Sequence, residues 1–195
     1  MLRIRLLSAA LGSLLAAFLT ASPADGSIVQ ALDLEELTAE AEQILLGRVL
    51  FSESFQHRNG QLGTWHRVRV EREVAGKAPT EDEIIIETLG GRIDDVAMRV
   101  EGEASFTVGE RVLVFIHGGG PYSASRAVGM GQGVMRVRTE GGVETVRQSR
   151  EGLMLVRRNA QGRLERSPGA LPEPERLDTL LERLRDLTAN RRGRR

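Results

Sequence analysis

The sequence contains no cysteine, so disulfide bonds cannot stabilise the fold. It also cannot carry the lipid of a lipoprotein, which needs a cysteine at the processed end. There are only three histidines, His57, His66 and His117, and their spacing matches no standard zinc motif. Stability must therefore come from a hydrophobic core, and we predict neither a metal nor a cofactor.

Aromatic residues and lysine are also scarce. Aromatics make up 4% of the chain, with one tryptophan and one tyrosine. Lys77 is the only lysine, and the preference for arginine is typical of a GC-rich genome. Basic and acidic residues number 27 each, so no excess of positive charge favours nucleic acid or an anionic membrane as a partner.

Residues 1–24 have the pattern of a secretory signal peptide. Arg3 and Arg5 precede an apolar run over 6–21, and small residues follow it. We predict cleavage after Ala24, with Gly26 the second choice and an uncleaved anchor the alternative. Removal of 24 residues leaves 171, enough for one exported domain, periplasmic or secreted, with no stable membrane span.

Periodicity predicts mostly β-structure between two helices. Asp33 and Glu36 form a capping-box pattern for a short helix whose spacing continues to Ile44. Strict alternation over 65–74 places His66 and valines on one face of a strand. Other predicted strands are 44–51, 83–89, 95–100, 111–117, 134–139, 143–147, 153–157 and 163–165. The strand 111–117 is apolar on both faces, which favours a central position.

The C-terminal part is predicted to be a linker, a helix and a tail. Residues 167–174 contain prolines, and leucines recur at helical spacing within 175–190. The basic residues 191–195 are predicted to be disordered. Residues 28–166 then form the β-rich domain, an antiparallel sheet or small barrel of mainly β (α+β) class.

Two glycine-rich motifs invite a catalytic or cofactor interpretation. The run V-L-V-F-I-H-G-G-G at 112–120 resembles the oxyanion-hole strand of one class of lipases and esterases. No G-x-S-x-G motif and no downstream histidine accompany it, so we interpret 118–120 as a flexible loop. The run G-M-G-Q-G at 129–133 lacks the following helix of a dinucleotide site and is predicted to form bends between strands.

Three residues are candidates for ligand or partner binding. Trp65 and Arg67 lie on the polar face of the alternating strand, and Tyr122 follows the glycines at 118–120. A tryptophan stacked beneath an arginine, or covered by a helix, is the more ordinary alternative for Trp65. No catalytic residue is predicted.

The order of elements resembles uncharacterised exported bacterial proteins and, more remotely, the netrin-like, OB-type barrels of tissue metalloproteinase inhibitors. The resemblance covers 34–115 and depends on A-E-Q-I-L-L-G-R-V, T-W-H-R-V-R-V-E-R-E-V-A-G-K, a G-G pair and F-T-V-G-E-R-V-L-V-F. It implies an OB/netrin-like barrel. Those inhibitors bind zinc through an N-terminal cysteine, which this chain lacks.

These features predict an exported, non-catalytic binding or interaction module. Its partner would be an unknown protein or small ligand of the cell envelope. One alternative is a small exported hydrolase or metal-dependent enzyme using His117. Another is an envelope structural protein that pairs with a second chain through its C-terminal helix.

Overall fold

A computed structural model describes residues 26–76, 82–120 and 123–192. The predicted leader 1–24, Lys77 and the candidate Tyr122 lie outside the described residues. The chain is mainly β, as predicted, with two α-helices in the described part. No helix of the described part is long and apolar enough to cross a membrane.

The elements follow the chain in this order: β1 Ser27–Gln30, α1 Leu34–Glu40, β2 Gln43–Gln56, β3 Leu62–Ala75, β4 Glu83–Leu89, β5 Gly91–Ile93, β6 Val96–Met98, β7 Arg111–Gly120, β8 Ser123–Ala127, a 3-10 helix Met130–Gly133, β9 Val134–Glu140, β10 Val143–Gln148, β11 Leu153–Arg158, β12 Leu164–Arg166, β13 Glu175–Arg176 and α2 Leu177–Arg192. The strand predicted at 83–89 is confirmed. The prediction at 95–100 was too long, since only β6 is extended there.

The largest described sheet has eight strands in the order β13-β10-β9-β7-β2-β3-β4-β8. Strand β8 also pairs with β7, and its pairing with β4 is parallel. Strands β1, β11 and β12 form a second described sheet, in which β1 runs parallel to β11. The pair β5 and β6 forms a short hairpin.

Strand β7 is central, as its sequence predicted. Val112, Val114 and Ile116 pack into one cluster with residues of β2, β3 and β4. Leu113 and Phe115, on the opposite face, pack into a second cluster beneath the helices. Both faces of β7 are therefore buried, which accounts for its continuous apolar sequence.

Helix α1 begins as predicted but ends sooner. The Asp33 carboxylate accepts a hydrogen bond from the Glu36 backbone N–H, and the Glu36 side chain accepts from the Asp33 backbone N–H. Ala41 is extended, and β2 begins at Gln43. The helical spacing predicted through Ile44 was wrong there, because Ile44 pairs with Phe115 in the sheet.

Helix α2 covers one face of the large sheet. Its buried leucines belong to the same cluster as Phe115, so the leucine stripe packs into the chain's own core: Leu177, Leu180, Leu181 and Leu184. The predicted start at 175 was early, because Glu175 and Arg176 pair with β10. Arg191 and Arg192, predicted to be disordered, are the last residues of α2.

Residues 118–120 correct the prediction of a flexible loop. They continue β7, and Gly118 pairs with Ser125 and Gly120 with Ser123 of β8. Their backbone belongs to a strand ladder, in place of an oxyanion-hole loop. A Cβ atom at Gly119 would collide with the Ser125 hydroxyl. Because glycine has no Cβ atom, it permits this close pairing.

The segment 167–174 contains no helix or strand, as expected of a connection. It is nevertheless anchored to the domain. Leu171 is buried, and its backbone N–H donates to Gln148 Oε1 at 3.2 Å. Gln132 anchors the 3-10 helix in the same way, because its Oε1 accepts from the Leu32 backbone N–H at 2.9 Å.

Candidate functional site

The registers of β2, β3 and β4 set nine residues in three rows on one side of the sheet, which we call the Trp65 face. The alternation that buries His66, Val68 and Ile86 on one side turns their neighbours to the other side. The rows are Phe51, Arg67 and Ile85; then Glu53, Trp65 and Glu87; then Phe55, Gly63 and Leu89. None of these residues belongs to the cluster beneath the helices.

An aromatic stack occupies the centre of the face. The Phe55 and Trp65 rings lie 4.1 Å apart between centroids and 22° from parallel. Trp65 is still 41% exposed, so the stack leaves much of the indole in solvent. Gly63 permits the arrangement, because a Cβ atom there would lie 2.8 Å from the Phe55 ring.

His57 extends the stack toward the turn between β2 and β3. Its ring meets Phe55 edge-on, with centroids 4.6 Å apart and planes at 63°. Its Nε2 is enclosed and forms no hydrogen bond within the described residues. The Glu87 Oε1 lies 3.5 Å from Nε2, at ion-pair distance but without hydrogen-bond geometry.

Glu87 connects the aromatic stack to a cation. Its Oε2 accepts a long hydrogen bond of 3.4 Å from Trp65 Nε1, and its Oε1 accepts from the Arg126 guanidinium. The Glu87 side chain is only 13% exposed. Both carboxylate oxygens therefore face donors, and Glu87 links the indole to the guanidinium.

Charges on and beside the face are balanced. Arg67 and Arg69 lie 3.8 Å and 3.7 Å from the Glu83 carboxylate. Glu53 is exposed, and its side chain has no hydrogen-bonded or ion-paired partner in the described part of the chain. On and beside the face there are thus three carboxylates, Glu53, Glu83 and Glu87, and three guanidinium groups, Arg67, Arg69 and Arg126.

The structure places two of the three predicted binding residues on this face. Trp65 and Arg67 lie two residues apart on β3, with Trp65 stacked on Phe55 and not beneath an arginine or a helix. Tyr122 lies outside the described residues. Sequence reasoning missed Phe55, whose period-2 spacing from Glu53 and His57 was a usable signal.

His66 lies on the opposite side of β3 in a hydroxyl pocket. Its Nδ1 is 2.8 Å from Ser52 Oγ, and its Nε2 is 3.0 Å from Thr88 Oγ1. The Phe106 ring packs against the imidazole, with centroids 4.7 Å apart. Burial lowers the pKa of His66 to about 4.

The Ser52 and His66 pair has the donor and acceptor types of a nucleophilic dyad but not the access. His66 and Thr88 are each 5% exposed. Ser52 is half-buried, but the enclosed imidazole that would take its proton is hydrogen-bonded at both nitrogens and does not face a substrate site. The arrangement is that of a buried histidine with both ring nitrogens hydrogen-bonded.

His117, the residue of the alternative enzyme prediction, is exposed near the end of β7 and opposite Arg126. Its side chain has no hydrogen-bonded or ion-paired partner among the described residues. The described part also contains no group of three or more His, Cys, Asp or Glu side chains placed to hold a metal. The three histidines do not converge there.

Two surface cavities lie away from the Trp65 face. One, of about 290 Å³, is lined by residues of β1 and the 3-10 helix, among them Gln30 and Met130. The other, of about 350 Å³, lies between the ends of α1 and α2 and includes Glu42 and Arg191. There the Arg191 guanidinium donates to the Thr38 carbonyl at 2.9 Å, which ties the two helix ends together.

Comparison with known proteins finds no matching family model, no similar curated protein and no similar solved structure. The geometry of the Trp65 face therefore carries the functional argument.

Proposed function

We propose that this chain is an exported, non-catalytic binding module whose ligand contacts the Trp65 face. One observation carries the proposal: the only tryptophan is fixed by Phe55 and Glu87 and yet stays 41% exposed. An exposed indole beside paired charges is the composition of a binding hot spot. Fixing the ring before binding reduces the entropy that the ligand must offset.

The proposed scaffold is an OB-type barrel, and the strand pairings support it. Strand β2 pairs with β3, β3 with β4, β4 with β8, and β8 with β7. Strand β7 pairs in turn with β2, so the five pairings form a ring. Numbered along the chain, their cyclic order is 1-2-3-5-4-1, with a parallel pair between the third and fifth. OB-type barrels bind across the second and third strands, here β3 and β4, and the adjoining loops.

Binding is favoured over catalysis by the state of the charged groups. A general base needs a carboxylate or imidazole free to take a proton from substrate. Both oxygens of Glu87 are engaged by donors, and the His66 ring is enclosed. The exposed Glu53 and His117 side chains have no hydrogen-bonded serine, carboxylate or second histidine in the described residues to form a catalytic pair. Glu87 can position a ligand on the Trp65 face but is poorly placed to take a proton from it.

Export is part of the proposal and has its own support. Residues 1–24 combine a cationic start, an apolar run and small residues, the three parts of a secretory signal. The test is the mass of the protein purified from its producing cells. The expected mass is that of a chain beginning at Asp25, and a protein retaining Met1 to Ala24 would contradict export with cleavage.

The binding proposal is tested by capture from cell-envelope and culture fractions. The immobilised wild-type chain is compared with Trp65→Ala, and with Leu164→Ala as a matched control. Leu164 is an exposed apolar residue on β12, in another sheet. Retention lost in Trp65→Ala and kept in the control is expected, with circular dichroism confirming that both variants fold. Equal retention by all three chains would refute the assignment of the face.

A further inference from the structure

We infer that the Trp65 face binds a neutral carbohydrate, with one sugar ring stacked on the exposed indole. The inference rests on the proposed function and names the ligand class for the same face. It draws on the aromatic platform, the fixed polar groups beside it and the balance of charge around it.

The platform suits a sugar because of its shape and its rigidity. A pyranose ring presents C–H groups on its faces and hydroxyls at its rim, so it needs a flat apolar surface with polar groups alongside. Trp65 supplies that surface, and Phe55 stacks against it at 4.1 Å. The hydrogen bond from the indole Nε1 to Glu87 sets the rotation of the ring in the face.

The polar groups beside the indole can both donate a hydrogen bond to a sugar hydroxyl and accept one from it. The Arg126 guanidinium has five N–H donors, one of which bonds Glu87. On the other side of Trp65, Glu53 is an exposed acceptor with no partner in the described residues. Vicinal hydroxyls fit such groups well, because carboxylates and guanidinium groups form paired, directional hydrogen bonds.

The charge balance favours a neutral ligand over a polyanion. Nucleic acid and sulfated or uronate polymers bind surfaces with an excess of Lys and Arg. Here Glu83 compensates Arg67 and Arg69, while Glu87 compensates Arg126. Counting Glu53, the face and the residues beside it carry three carboxylates and three guanidinium groups, so a charged polymer gains little by approaching it.

The lone tryptophan makes the test direct, because all tryptophan emission comes from Trp65. The wild-type chain is titrated with cellotriose, maltotriose and triacetylchitotriose, then with polygalacturonate and oligo-dT as anionic probes. We expect a saturable change in emission with at least one neutral trisaccharide and weaker or no response to the anions. No response to any neutral trisaccharide, or tighter binding of an anion, would overturn the inference.

Variants locate the site by calorimetry, which does not depend on tryptophan. Trp65→Ala should lower the affinity for the trisaccharide by about tenfold or more, because the stacking surface is lost. Trp65→Phe keeps a flat ring and should weaken it less, which separates lost stacking from lost folding. Arg126→Gln should also weaken binding, and Leu164→Ala should not. Equal affinity in Trp65→Ala and wild type would place the sugar elsewhere and refute the inference.

The outcomes also separate this inference from the proposed function. For this purpose the cell-envelope and culture fractions are treated with protease or with periodate, which oxidises sugars, before capture. If Trp65-dependent capture is lost after protease and kept after periodate, the partner is a protein. The carbohydrate inference would then fail, while the proposed binding module would stand. Capture that does not depend on Trp65 would defeat both.

Discussion

Lowering the pH from 7.5 to 4 should destabilise the folded domain through His66. In the folded protein this imidazole lies between two hydroxyls and against Phe106, and burial lowers its pKa to about 4. In the unfolded chain it takes a proton near 6.5. Protons therefore bind the unfolded state first, and the stability that neutral His66 provides is lost as the pH falls below 6.5.

The size of the loss follows from the difference in pKa. A shift from 6.5 to about 4 corresponds to about 3 kcal/mol, since each unit is worth 1.36 kcal/mol. The contribution is complete above pH 6.5, declines through the interval, and is lost below about 4. Arg176 lowers the pKa of Asp178 to about 2, so the effect of that carboxylate begins below its unfolded value of 3.8. The pH ranges over which His66 and Asp178 affect stability are therefore distinct.

Urea unfolding across this interval isolates the His66 contribution when a variant is measured beside the wild type. His66→Gln keeps an amide donor and acceptor for Ser52 and Thr88 but does not titrate. The unfolding free energy of the wild type, measured relative to that of His66→Gln, should fall by about 3 kcal/mol from pH 7.5 to 4. Other titrating groups act on both chains and cancel. Parallel curves would refute the argument and indicate that the pocket accommodates a charged imidazole.

Three substitutions test the packing on which the site and the fold depend. Gly63→Ala should cost about 1–3 kcal/mol in urea unfolding, because its methyl meets the Phe55 ring at 2.8 Å; unchanged stability and tryptophan emission would contradict the stack. Leu180→Ala should cost about 2–5 kcal/mol, since Leu180 is fully buried, and a loss well under 2 would show that α2 is not core cover. Gln132→Met should lower the free energy of unfolding by about 1–3 kcal/mol, because the Leu32 N–H loses its acceptor; an unchanged melting temperature would show that water replaces the amide.

The sequence predicted the elements whose local pattern agrees with their environment. Alternating valine and arginine marked β3, and the apolar run of β7 marked a strand buried on both faces. Strand β8 was missed because its sequence, S-A-S-R-A, has no strand pattern of its own. Pairing with neighbours on both sides holds it extended, through Ile86 and Ile116. Such tertiary pairing overrides local propensity.

The same distinction applies to the candidate site. Trp65 and Arg67 could be selected because a single strand shows which face they occupy. Glu87 and Arg126 could not, since their contact joins strands far apart in the chain and depends on register. The glycines at 118–120 misled for a related reason: glycine suggests a loop, but here Gly119 lies in a strand, where a Cβ atom would collide with Ser125 of β8.

The pairing of β1 with β11 has a consequence for biosynthesis. Ser27 pairs with Leu153, which is added to the chain 126 residues later. At about 5–20 residues per second, the first strand waits about 6–25 seconds for its partner to be synthesised. Helix α2, which closes the core, is made later still. The domain can therefore close its core only after most of the described chain has been synthesised.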